Sequence, residues 1–171
     1  GLYAKSNVQQ SIGQVDSFDL VGVLELMPKG MENVNSELDD LGYTIAITYA
    51  GVEGAYINNA RTFAKVGSDY EFVERTRTMY KAVRETLITA TLKLHSQVDM
   101  SNPEVSLKQI TEFINVPVER MVENKELSSA RVIIPEGQDI LATSKFKFKI
   151  RAIPIGILIE IEIDMGFENN V

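Results

Sequence analysis

The sequence predicts an α+β fold, a mixed or antiparallel sheet packed against one long helix and one or two shorter ones. Three stretches predict it. Residues 145–164 alternate apolar and charged side chains on both sides of a Pro154–Gly156 turn, the pattern of strands with one buried and one wet face. Residues 69–97 place Phe72, Thr76, Met79, Val83, Leu87, Ala90 and Leu94 on one stripe, the core face of an amphipathic helix. Tyr43, Ile45, Ile47 and Tyr49 alternate with Thr44, Ala46 and Thr48, a β-rich run with the strand period.

Taken in order, residues 1–18 are polar and weakly patterned and are expected as an extended lead-in. Residues 19–171 are expected as one domain that ends in a strand arm over about 157–171. Asp19–Met27 is apolar enough for a buried strand, with a helical turn as the alternative, and Pro28 to Gly30 punctuates it. A short helix follows with Met31, Val34, Leu38 and Leu41 on one face, and Gly42 is suited to its C′ position. After the Tyr43–Tyr49 strand, Gly51 to Gly54 turns the chain and Ala55 to Asn58 is expected to return antiparallel. A loop carries Arg61 and Thr62.

Ser68 and Glu71 have the spacing of a capping box at the start of the long helix, expected over Asp69–Gln97. Ser106 to Gln109 repeats that form and opens a second helix with Leu107, Ile110, Phe113 and Ile114. Pro117 is expected to stop it and to begin a further turn through Met121. Ala130 to Ile134 reads as a strand closed by Pro135, and Glu136 and Gly137 turn toward the terminal strands.

Charge and composition exclude several classes. The net charge of −7 is wrong for general affinity to phosphate backbones. Without cysteine there is no disulfide, thiolate nucleophile or cysteine metal site. No apolar run approaches the roughly 20 residues that span a bilayer. No secretory leader is recognised, and a first residue of Gly rather than Met is compatible with a piece of a longer chain. The single His95 has no nucleophile elbow to serve. Glu160, Glu162 and Asp164 lie along one strand face and read better as a solvated or paired edge than as metal ligands. Gly51 to Gly54 lacks the lysine and the following helix of a phosphate loop. No catalytic residue, cofactor or metal is expected.

The terminal stretches are complementary. Lys145, Lys147, Lys149 and Arg151 face one way and Phe146, Phe148 and Ile150 the other. Downstream, Ile157, Ile159, Ile161 and Ile163 alternate with Glu160, Glu162 and Asp164. One antiparallel register sets Arg151 against Glu160, Lys149 against Glu162 and Lys147 against Asp164. It is satisfied by an intrachain hairpin turning at Gly156 or by a strand exchanged with another copy. In either closure Ile159, Ile161 and Ile163 are expected to be covered and the acids exposed. On the long helix Arg77, Lys81 and Arg84 form a basic stripe. It is either a contact surface or the cationic half of local pairs, Glu74 with Arg77 and Lys81 with Glu85.

These residues carry a resemblance. Gly42 and Tyr43 leading into a strand, Gly54 to Thr62 (Gly-Ala-Tyr-Ile-Asn-Asn-Ala-Arg-Thr), Gly67 to Tyr70 and Phe72 to Lys81 resemble the C-terminal region of contractile-tail sheath proteins of bacteriophages and related injection machines. Lys145 to Ile163 looks like that family's closing strand, proline-containing turn and final strand. Full sheath proteins are longer, and their protruding domains and N-terminal arm are not recognisable here. The resemblance implies a structural subunit in a virion tail, assembled in the cytoplasm of a bacterial host. Its partners would be further copies of itself and a tail tube protein. Strand arms would link neighbours through Ile157, Ile159, Glu160, Ile161, Glu162, Ile163 and Asp164 on one side. Lys147, Lys149 and Arg151 would meet them on the other. Arg77, Lys81 and Arg84 would face the tube. Another tail or baseplate component is the nearest alternative, and a small enzyme or ligand-binding domain a more distant one.

Overall fold

The structure, a computed structural model, describes residues 1–165, so the last part of the expected strand arm, 166–171, lies outside the described residues. Its helices are α1 (Leu2–Lys5), α2 (Asn35–Asp40, continuing a 3-10 turn over Met31–Val34), α3 (Val73–Thr91), α4 (Pro103–Glu123) and α5 (Ile140–Thr143). Strands β1 (Ala46–Ile47) and β2 (Tyr56–Ile57) form one antiparallel pair. Strands β3 (Leu127–Ile133) and β4 (Lys149–Pro154) form another. The fold is therefore α+β, with α3 against α4, α4 against β3, and β3 beside β4.

The first residues are not an extended lead-in. They form α1 and a series of turns, and Ile12 and Phe18 are buried. Gly13 lies so close to the β2 end that an added Cβ would fall 2.2 Å from the Asn58 carbonyl oxygen. Residues 19–27 form turns and open chain rather than the expected strand, with Leu24 and Met27 exposed. The α2 helix ends as its sequence predicts. Gly42 takes φ +84, its N–H reaches the Asp39 carbonyl, and Tyr43 N–H reaches Leu38, a Schellman closure.

The long helix differs from expectation in three ways. It is shorter, Val73–Thr91. Its N-cap is Phe72 and no capping box forms, because Glu71 turns away to Arg61 and to the Gly67 N–H. Its packed face is not the apolar stripe either. The buried side chains are Glu74, Thr78, Ala82 and Thr86, whereas Val83 and Leu87 are 54% and 62% exposed. The reason lies in the threonines. Thr78 and Thr86 donate their hydroxyls to the carbonyls of Glu74 and Ala82 one turn back, which satisfies the polar atom and leaves a methyl to pack. A small face of this kind lets α4 and β3 approach closely. Ala82, Met121 and Leu127 make the centre of that contact, and Ile114 and Val118 are almost fully enclosed.

Pro117 does not stop α4 but sits inside it. Burial of Ile114, Val118 and Met121 on either side of the proline outweighs its lost hydrogen bond, which in isolation costs about 3 kcal/mol. The helix closes at Asn124 with Lys125 at φ +56 and Glu126 N–H on the Met121 carbonyl. A lysine in the place usually taken by glycine hid this terminus from the sequence.

Candidate subunit interface

Strand β4 begins immediately after the half-buried Phe148 and keeps the predicted alternation, with Ile150 half-buried and Lys149 and Arg151 exposed. Its partner is β3, through pairs such as Arg131 with Arg151 and Ile133 with Lys149. The intrachain hairpin with residues 157–164 does not form. In this sheet of two strands, the β4 edge away from β3 carries no strand among the described residues. A groove of about 310 Å³ lies between α3 and this sheet, lined by Met79, Ala82, Val83, Leu127, Ile150 and Pro154 among others.

Beyond Pro154 the chain has no assigned helix or strand through Met165, and residues 157–165 make no backbone hydrogen bonds among the described residues. Ile157 is half-buried, but Ile159, Ile161 and Ile163 are 51%, 71% and 87% exposed. The expected cover is therefore absent within one chain. Glu160, Glu162 and Asp164 are exposed as well, as are Lys147, Lys149 and Arg151. The acidic and basic stretches are both exposed on one chain and do not meet. Residues 155–161 instead lie opposite residues 7–15 across an open cleft of about 830 Å³ whose titratable lining residues are Tyr49 and Lys125.

The basic stripe is divided by its contacts. Arg77 reaches across to residues 3–7, donating to Ser6 Oγ at 2.8 Å and to the carbonyls of Tyr3, Ser6 and Asn7. Lys81 pairs with Glu126 after α4. Arg84 is mostly exposed and touches its neighbour Glu85. Neither local pair that the spacing suggested, Glu74 with Arg77 or Lys81 with Glu85, is formed among the described residues.

One cluster escaped the sequence reading. Arg61 donates to Asp39 through Nε and Nη2, at 3.2 and 3.0 Å, and through Nη1 to Glu71. Asn58 and Asn59 add amide hydrogen bonds to the second Asp39 oxygen at 2.8 and 3.0 Å. The guanidinium lies over the Phe72 ring, and its own affinity for protons is raised, chiefly by the Asp39 hydrogen bond. This knot ties α2, the β1–β2 hairpin and the entrance of α3 together. Asn58, Asn59, Arg61 and Glu71 come from stretches singled out in the sequence, yet nothing in their spacing shows that Asp39 closes on them. Among the described residues no cluster suited to a metal ion occurs, and no helix is long and apolar enough to cross a membrane.

A family model described as "DUF2586, C-terminal domain" matches residues 69–171, and one described as "DUF2586, N-terminal domain" matches residues 1–61. No curated protein matches the sequence. Among solved structures the chain is similar to the helical sheath of the anti-feeding prophage in its contracted state. The TM-score is 0.76 at 16% identity, over 96% of this chain and 48% of that one. It is similar to a chain of the anti-feeding prophage baseplate, with TM-score 0.73 at 14% identity, over 96% of this chain and 46% of that one. A third likeness is to the PVC sheath complex of an extracellular contractile injection system in its contracted state. There the TM-score is 0.58 at 12% identity, over 72% of this chain and 36% of that one. The fold is thus sheath-like, and the chain spans half or less of the length of each of these proteins.

Proposed function

The chain belongs to the DUF2586 family, and from that premise and its sheath-like fold we propose that it is a non-enzymatic structural subunit of a contractile tail sheath. Copies assemble around a tail tube by exchanging β-strands, in a virion tail built in the bacterial cytoplasm. The observation that carries this reading is the C-terminal stretch. Ile159, Ile161 and Ile163 of that stretch are bare and its backbone is unpaired, and among the described residues the free edge of β4, basic on its exposed face, has no strand on it.

A bare amphipathic strand and an open sheet edge are the two halves of β-augmentation, and an open edge is a liability unless something covers it. The donor is Ile157 to Asp164 of one copy and the acceptor β4 of another. Glu160, Glu162 and Asp164 then lie against Arg151, Lys149 and Lys147 in the register that the charges favour. Of the basic helix stripe, Arg84 is the member left for a tube surface, since Arg77 and Lys81 are occupied inside the subunit. A baseplate subunit using the same edges is the second reading, supported by the baseplate likeness.

Because the chain has no cysteine, introduced thiols report a single contact. An Arg151→Cys chain mixed with a Glu160→Cys chain should give a disulfide-linked heterodimer when assembled, with helical tubes visible by electron microscopy. Tubes that form without that crosslink, or with crosslinks independent of register, would overturn the exchange.

A further inference from the structure

Glu74 and Arg77 are one helical turn apart on α3, in the order that favours an ion pair, yet they are not paired. The Glu74 side chain is 3% exposed, and its Oε2 is buried without a hydrogen-bond partner. Arg77 spends its guanidinium on the segment that carries α1, on Ser6 Oγ and the carbonyls of Tyr3, Ser6 and Asn7, and it lies over the Tyr3 ring at 5.3 Å. Arg75, the other nearby cation, sits over Phe72. One buried oxygen of this carboxyl is thus left without a hydrogen bond while a suitable donor holds something else.

We propose that Arg77 is a two-position latch. Bound to the carbonyls of residues 3–7 it clasps that segment onto α3. Released from them it pairs with Glu74, so that undocking of the segment is offset within the helix. Each position satisfies one set of polar groups and orphans the other, which is the condition for a bistable element. The segment has few other ties. Its own short-range amides, Ala4 on Gly1 and Ser6 on Leu2, stay within α1.

The latch is linked to protons. Burial holds the Glu74 carboxyl above its ordinary value, and a hydrogen bond from its own backbone amide, then Arg75 and Arg77, draw it partly back. The Tyr3 phenol is held high by burial first and by Glu74 second. Tyr3 from the segment and Arg75 and Arg77 from the helix are the charged or titratable groups acting on this carboxyl. A carboxyl raised in the docked state makes docking fully favourable below the ordinary glutamate range. That advantage is lost as the pH rises through the raised value.

Amide hydrogen exchange on the 171-residue chain, corrected for intrinsic rates across a pH series, tests the latch. Arg77→Ala should lower protection of residues 2–10 by about tenfold or more, the scale of lost hydrogen bonds to a charged group, while α3 and α4 keep theirs. Glu74→Gln, close in shape and safe for folding, should raise protection of residues 2–10 at neutral pH and remove its pH dependence. Glu74→Gln exchange that matches the wild type, pH dependence included, would overturn the second position. Equal loss of protection in α3, α4 and residues 2–10 on Arg77→Ala would overturn the clasp.

Discussion

The Arg61 corner and the C-terminal edge treat charge in opposite ways. At the corner Asp39 and Glu71 close on one guanidinium that is 16% exposed, and two asparagine amides complete the shell. At the edge, Lys147, Lys149 and Arg151 stand exposed on one stretch and Glu160, Glu162 and Asp164 on the next, with isoleucines bare between the acids. The first set is satisfied inside one chain, so its residues contribute to stability. The second set is complementary but unjoined, so on the strand-exchange reading its residues contribute to assembly and little to folding. Like-sounding charged motifs in one sequence therefore answer to different tests.

The sharpest separation comes from truncation. A chain ending at Gly156 should lose all tube formation in micrographs, while its unfolding free energy moves by no more than about 0.5 kcal/mol, as for changes at exposed positions. A cooperative melt shifted by many degrees would erase the distinction. Arg61→Ala should do the reverse. It strands two partly buried carboxylates, so urea denaturation should show a loss of about 3 kcal/mol, with tubes still forming wherever the chain remains folded.

Charge reversal probes the edge itself. Replacing Lys147, Lys149 and Arg151 together by Glu should raise the concentration needed for assembly about tenfold, from three cross-strand pairs at roughly 0.5 kcal/mol each. Mixing with chains in which Glu160, Glu162 and Asp164 are Lys should restore it. Failure of that rescue, measured by sedimentation, would remove charge from the account of register. The smallest effect is expected at Val83. With Val83 on a core-facing stripe, Val83→Asp would bury a charge and block folding, but the residue is 54% exposed. The change should cost less than about 0.5 kcal/mol, read as an almost unmoved melting temperature.

Some of this protein was fixed locally and can be read from neighbours in sequence. The alternation of Phe146, Phe148 and Ile150 with the cations reappears as half-buried and exposed residues. The hairpin of β1 and β2 forms inside the predicted strands, and Gly42 ends α2 because its backbone needs φ +84. The long helix exists where its pattern placed it, although trimmed at both ends. The residues of the candidate interface were likewise visible as a charge pattern.

What they pair with was not visible, and this is where tertiary structure decided. Both Leu127–Ile133 and residues 157–164 offer a plausible strand to β4. Packing of α4 on β3 accounts for the first pairing, since it buries Leu127 against Ala82 and Met121, while residues 157–164 leave the other β4 edge unpaired within the described chain. The packed face of α3 was misread because hydropathy scores threonine as polar. Only the helix geometry returns the hydroxyls of Thr78 and Thr86 to the preceding turn and lets their methyls enter the core. Arg61 reads as an ordinary loop cation until folding brings in Asp39 and Glu71. Period and turn chemistry act over a few residues and so are written in the sequence. The choice among faces, strands and charge partners depends on which surfaces can be desolvated together, and that is a property of the packed chain.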